Sequence, residues 1–181
     1  MNNPIGPAPA ELGVALVERG YESLWIGEHP QIPVSRKTPY PGGGEMPESY
    51  RSLMDPFLSL LSAAQAAPSL RVGTGVALPL EHDIFDLAKT VATLDRLTQG
   101  RLFFGVGVGW NEEELANVSP VPWALRYKAL GECVAALRVL WCEKESEFHG
   151  EFFDFDAVAA RARPDPSSPR LSRSRRQNRH T

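Results

Sequence analysis

Residues 101–111 read Arg-Leu-Phe-Phe-Gly-Val-Gly-Val-Gly-Trp-Asn, an apolar strand running directly into a glycine-rich turn. Two earlier stretches share this design: Ser23-Leu24-Trp25-Ile26-Gly27-Glu28-His29, and Leu70-Arg71-Val72-Gly73-Thr74-Gly75-Val76-Ala77-Leu78. Near-continuous apolar strands of this kind are buried on both faces, as in a parallel sheet covered by helices. Three strands are therefore predicted near residues 23–27, 70–77 and 101–107, parallel and adjacent in that order, because short right-handed connections favour neighbouring units.

Helix signals fall between them. Pro9 and Glu11 open a first helix, Leu12 and Leu16 share a face, and Gly20 fits its stop. Asp55-Pro56 pairs a capping residue with a proline suited to the first turn, and Phe57, Leu60, Leu61 and Ala64 follow at helical spacing. Asp83 can cap a third helix whose Ile84, Leu87, Val91 and Leu94 fall on one face, with Gly100 after its end. A last helix is predicted from Trp123 to Trp141, with Leu130, Val134, Leu137 and Trp141 as a core stripe. Alternating strands and helices define an α/β fold. Two architectures satisfy it, an open doubly wound sheet and a (β/α)8 barrel. The barrel needs eight strands in about 250 residues, and the pattern supplies three.

Composition narrows the class. The 181 residues are 43% hydrophobic and 23% charged, enough for one domain with a core. The net charge of −3 divides unevenly: residues 164–181 carry five Arg and one Asp, or +4, leaving −7 on residues 1–163. An acidic body argues against nucleic acid as a partner, and the basic end has the composition of a disordered tail. No run approaches the roughly 20 apolar residues of a membrane helix, and the first residues lack a secretory pattern. Cys133 and Cys142 lie in one predicted helix, about 13 Å apart along its axis, too far for a disulfide. Reduced thiols suggest the cytoplasm.

In parallel α/β folds, binding groups gather where strands end. That rule selects Glu28 and His29 as candidate catalytic residues, since a strand-end His can move a proton near neutral pH; a merely packed or solvated His is the alternative. It also selects Thr74, Gly75 and Val76, where glycine inside a strand marks a bulge or a close approach by another group. Third, it selects Gly107, Gly109 and Asn111, in a turn that exposes backbone N–H groups. The spacing there is not the dinucleotide fingerprint. The alternative for Asn111 with Glu112, Glu113 and Glu114 is merely a solvated helix start. The four His are scattered and no Cys-x-x-Cys occurs, so no metal site is predicted. The stretch 30–54 is Pro- and Gly-rich and long, as a lid or binding loop would be.

Taken together, these blocks resemble one family. Residues 18–29, Glu-Arg-Gly-Tyr-Glu-Ser-Leu-Trp-Ile-Gly-Glu-His, are similar to a signature of the bacterial luciferase-like oxidoreductases. The loop His29–Gly44 is similar to a branch that uses the deazaflavin coenzyme F420; Leu94–Arg101 and the run 105–114 match further blocks. The resemblance covers about Pro9 to Asp156. It implies a (β/α)8 barrel, a deazaflavin (F420) or alternatively FMN at its top face, and hydride transfer or oxygenation of a small organic substrate. It implies that His29 lies by the reactive ring as a proton donor or acceptor, that Gly75-Val76 is a cis peptide supporting that ring, and that 107–111 approaches the cofactor.

Relative to that pattern the chain reads as an incomplete copy: strands 2–4 with their helices, incomplete at both ends. The expected domain is 1–163, and the Arg- and Ser-rich 164–181 resembles an out-of-frame tail. Such a piece is expected to expose sheet edges, to pair into a homodimer or aggregate, and to be impaired as a catalyst. A non-catalytic remnant and an independent open-sheet nucleotide-binding domain are the competing readings.

Overall fold

The computed structural model describes residues 2–35 and 37–159; the basic segment 164–181 lies outside them. Helix α1 (Pro9–Glu18) begins at the predicted proline, with the Glu11 carboxylate accepting from Ala8 N at 3.3 Å, and Gly20 follows its end at φ +79°. Strand β1 (Ser23–Ile26) leads into the long loop, which ends in a 3-10 turn over Glu48–Ser52. Asp55 caps α2 (Pro56–Ala66) by accepting from Leu58 N at 2.7 Å. Strand β2 (Arg71–Thr74) follows. Asp83 then caps α3 (Ile84–Leu97), accepting from Phe85 N and Asp86 N. Strand β3 (Leu102–Phe103), helix α4 (Glu112–Val118) and helix α5 (Arg126–Cys142) complete the parallel part.

The sheet is parallel with order β1-β2-β3; Leu24, Val72 and Leu102 lie across one row, and Trp25, Gly73 and Phe103 across the next. Val72 and Leu102 are fully buried in one cluster with Leu60 and Ala64 of α2 and Leu87 and Val91 of α3. The helices thus cover that face. The opposite face carries Trp25, half exposed, its ring tilted against that of Phe103 with centroids 5.3 Å apart. A Cβ on Gly73 would lie 2.7 Å from the Trp25 ring, so the group that closely approaches this strand glycine is an indole.

The strands are shorter than predicted. The β2 ladder stops before Gly75–Val76, whose peptide bond is cis, and pairing resumes as a bridge between Ala77 and Val106. Thr74 Oγ1 donates to Gly105 O at 2.7 Å, and Ala77 N donates to the same oxygen at 2.8 Å. The backbone beyond Phe103 is thereby engaged locally rather than in a continuous ladder.

Helix packing accounts for two other sequence features. A Cβ on Gly13 would meet Ala63 O at 2.8 Å, so α1 crosses α2 at a glycine. The Arg101 guanidinium donates to Ala64 O, a carbonyl in the last turn of α2, at 3.1 Å and to Leu70 O just before β2. The α5 stripe is rotated from the predicted one: Ala129, Cys133, Ala136, Leu137, Leu140 and Trp141 are buried, while Leu130 and Val134 are only half-buried. The count of three strands also needs correction. Strands β4 (Ser146–His149) and β5 (Asp154–Val158) form a separate antiparallel pair. Glu132 of α5 accepts from Phe152 N and Phe153 N at 2.7 and 2.8 Å and so fastens their turn. Among the described residues no helix is long and apolar enough to cross a membrane.

Candidate active site

A cleft of about 450 Å³ opens at the C-terminal ends of β1 and β2, within the range of small-molecule sites. Its walls include Leu24, Trp25, Glu28, His29, Tyr50, Gly75, Val76, Leu78, Gly109 and Trp110. The strand-end rule had selected Glu28, His29, Gly75, Val76 and Gly109 separately, and the fold brings all five to this one concavity. Thr74, Gly107 and Asn111 stand behind the wall. Thr74 is fully buried on Gly105 O. Gly107 packs against Val76, where a Cβ would lie 2.7 Å from Cγ2. The Asn111 side chain caps α4 by accepting from Glu114 N at 3.4 Å.

His29 is the most constrained group. Its Nδ1 lies 2.8 Å from Glu114 Oε2 and 3.0 Å from Oε1, and Trp110 Nε1 donates to its Nε2 at 3.2 Å. An indole nitrogen can only donate. Nε2 is therefore the acceptor, and the ring proton of the neutral imidazole sits on Nδ1, pointing at Glu114. Glu114 is fully buried, which sets aside the alternative of a merely solvated helix start. The three carboxylates differ by helical phase: Glu114 turns inward to His29, while Glu113 turns to the loop. There Glu113 accepts from Lys37 N, from Thr38 N at 3.2 Å and from Thr38 Oγ1 at 2.7 Å. The Thr38 hydroxyl, and next the Lys37 N–H, hold the Glu113 carboxyl down at about 2.

Glu28 faces differently from its neighbour. One of its oxygens accepts from Leu78 N at 2.7 Å and the other lies 2.9 Å from His82 Nε2. It therefore ties the end of β1 to the chain beyond Val76. Burial opposes protonation of His82, but the hydrogen bond and charge of Glu28, with Asp55, outweigh it and raise the His82 pKa.

Glu81 completes the charged layer. Burial, then the charges of Glu114 and Glu28, push its carboxyl up to about 8. Its Oε2 and the Asn111 Nδ2 are buried without a hydrogen-bond partner among the described residues. The sequence reading missed Glu81, His82, Glu114, Tyr50 and Trp110. The only available signal was their position just after a strand end or inside the long loop.

The cleft fits the ring portion of a planar cofactor. Trp25 and Val76 present half-exposed apolar surface at its wall, and Gly75 leaves the backbone accessible there. Among the described residues its lining carries no Lys or Arg, so these residues offer no counter-charge for a phosphate-bearing tail. Among the described residues no His, Cys, Asp or Glu cluster could hold a metal ion.

A family model described as luciferase-like monooxygenase matches residues 9–172. A curated relative, an uncharacterized protein of Mycobacterium tuberculosis, is 38% identical over 169 residues, covering 92% of this chain and 59% of its own. The chain thus spans about three-fifths of that relative's length. Among solved structures, a monooxygenase from Streptomyces bottropensis superposes with TM-score 0.72 at 25% identity, over 89% of this chain and 44% of its own. An F420-dependent secondary alcohol dehydrogenase, in complex with an F420–acetone adduct, gives 0.66 at 23% identity over 86% and 44%. The oxygenating constituent of 3,6-diketocamphane monooxygenase from Pseudomonas putida, in complex with FMN, gives 0.64 at 17% identity over 81% and 36%.

Proposed function

The chain belongs to the luciferase-like monooxygenase family, and from that premise we propose that it carries the His29-bearing part of a flavin- or deazaflavin-dependent oxidoreductase acting on a small organic substrate. The observation that carries this reading is the cleft itself. It joins an apolar wall for a flat ring, Trp25 and Val76, to one imidazole whose tautomer is set by a buried carboxylate. In this reading the three-stranded sheet is a portion of a (β/α)8 barrel, and residues 1–163 form its domain. A bound F420 or FMN would supply the hydride chemistry, or in the flavin case the activation of oxygen.

The protein's own residues do the rest. Val76 and Trp25 would hold the cofactor's ring, and the 107–111 turn backs Val76 through Gly107. Glu114 keeps the His29 Nδ1–H in place, so Nε2 is the atom that accepts a proton from the substrate or returns one. An imidazolium formed there would be stabilised by the adjacent carboxylate. Glu28 acts as a positioning residue, since both of its oxygens are engaged on Leu78 and His82.

Titration of the chain with F420 and with FMN tests the cofactor assignment, and His29→Ala in a complete homologous barrel tests the proton-transfer role. We expect one of the two to bind, and His29→Ala to lower turnover by at least a hundredfold with little change in cofactor affinity, because a proton-transfer group acts mainly in the transition state. Failure of both cofactors to bind refutes the assignment. An unchanged turnover in His29→Ala refutes the proton-transfer role alone.

A further inference from the structure

Both nitrogens of His29 are engaged: Nδ1 on Glu114, and Nε2 on the indole N–H of Trp110 at 3.2 Å. The imidazole lines the cleft, yet its only lone pair is covered by another side chain of the same cleft. Trp110 is held there by ring contacts. It meets His29 edge-on at 5.7 Å and Tyr40 edge-on at 5.7 Å; Tyr50 meets Tyr40 at 5.4 Å and His29 at 5.5 Å. The four rings form a closed circuit, and two of them belong to the long loop. Behind Trp110 stands Gly109 at φ +70°, a conformation glycine adopts freely. After it comes Asn111, fixed as the cap of α4.

We propose that Trp110 is a gate on His29: its indole N–H occupies the place that a ligand's O–H or N–H takes, so ligands that bring such a donor engage the imidazole and displace the indole. The inference rests on the proposed function, in which ligands enter this cleft. Its physical basis is the cost of leaving a partly buried acceptor unpaired. Removing the indole without replacement leaves Nε2 without a donor, a loss of about tenfold or more in an equilibrium constant. A ligand with a donor restores the bond, whereas an ether or hydrocarbon of the same shape cannot. The site's ligand class is therefore an apolar body, matching Leu24, Trp25, Val76 and Leu78, with a hydroxyl or N–H at the end that reaches His29.

The test uses the full chain, nitrogen-15 labelled, with cyclohexanol and its methyl ether as probes and no cofactor. The Trp110 indole cross-peak is identified by its loss in Trp110→Phe. We expect saturating cyclohexanol to move that peak away from its hydrogen-bonded position and the ether to leave it in place. We also expect Trp110→Phe to bind cyclohexanol about tenfold more tightly, with ether affinity unchanged. An indole peak unmoved by bound cyclohexanol overturns the gate, as does no detectable binding of cyclohexanol. Should Trp110→Phe be poorly folded, the peak is assigned in the wild type from nuclear Overhauser contacts of the indole to the His29 and Tyr40 rings, which lie 5.7 Å away, and the wild-type measurement decides. Because the probes are read without cofactor, an immobile indole in a chain that binds F420 or FMN refutes the gate alone. A responsive indole in a chain that binds neither cofactor refutes the proposed function alone.

Discussion

Replacing Glu81 by Gln should make the protein more stable, and increasingly so as pH rises. Glu81 has a folded pKa of about 8, against an ordinary value of 4.5. Below the ordinary value both folded and unfolded chains hold the proton, and the group costs nothing. Between 4.5 and 8 the unfolded chain releases its proton while the folded chain retains it, so the unfolded state gains and stability falls with pH. Above 8 the full penalty is present. At about 1.36 kcal/mol for each pH unit, that interval sets a ceiling of roughly 5 kcal/mol. Glu81 keeps partial contact with solvent, and water screens its interaction with Glu114 and Glu28, so we expect about 2 kcal/mol. Gln preserves the shape of the neutral acid but does not titrate. The assay is urea unfolding of both proteins from pH 5 to pH 8.5. The stability difference, mutant minus wild type, should grow by about 2 kcal/mol across that range. Subtraction removes the pH dependence that the two proteins share. A difference constant with pH would show that Glu81 is charged in the folded protein and would refute the reasoning.

Other substitutions test other layers. Thr38→Val removes the hydroxyl held by Glu113 and should weaken the loop's attachment by about 1 kcal/mol; hydrogen exchange across 30–54 should accelerate while the unfolding midpoint of the body changes little. Gly107→Ala places a Cβ 2.7 Å from Val76 Cγ2; we expect about 1–2 kcal/mol of destabilisation in urea and weaker cofactor binding, because the displaced side chain walls the cleft. Of the two thiols, Cys142 is exposed, while Cys133 is buried and pushed by burial up to about 12; mass spectrometry after brief alkylation of the native chain should find one adduct, on Cys142.

The helix starts were legible because their chemistry is local. A capping Asp before a Pro, or before an apolar run, acts on amides two or three residues away, and both Asp55 and Asp83 do so. The strand-end positions were legible because parallel topology sends them to one side. Strand lengths were not, since the break at Gly75–Val76 depends on what Gly105 and Ala77 bond. The β4–β5 pair escaped notice because each strand is short and its apolar support, Phe148 against Phe155, is visible only once the turn is made. The inward turn of Glu114 is not legible, since sequence does not say which of three consecutive glutamates faces the imidazole. Trp110 passed as part of a glycine-rich turn because covering an imidazole is a relation across more than 80 residues.

Consecutive placement of Glu113 and Glu114 gives α4 a mechanical role. One carboxylate grips the loop at Lys37 and Thr38, the next grips the imidazole, and Gln31 bonds the carbonyl of Glu114 itself at 2.9 Å. Helix α4 has only seven residues, so the two grips lie on one short element whose first turn Asn111 caps. Loop and imidazole are thereby held in fixed relation to each other. The exposed tip from Pro41 to Glu45 lies beyond the grips. A change in its length or shape touches neither grip.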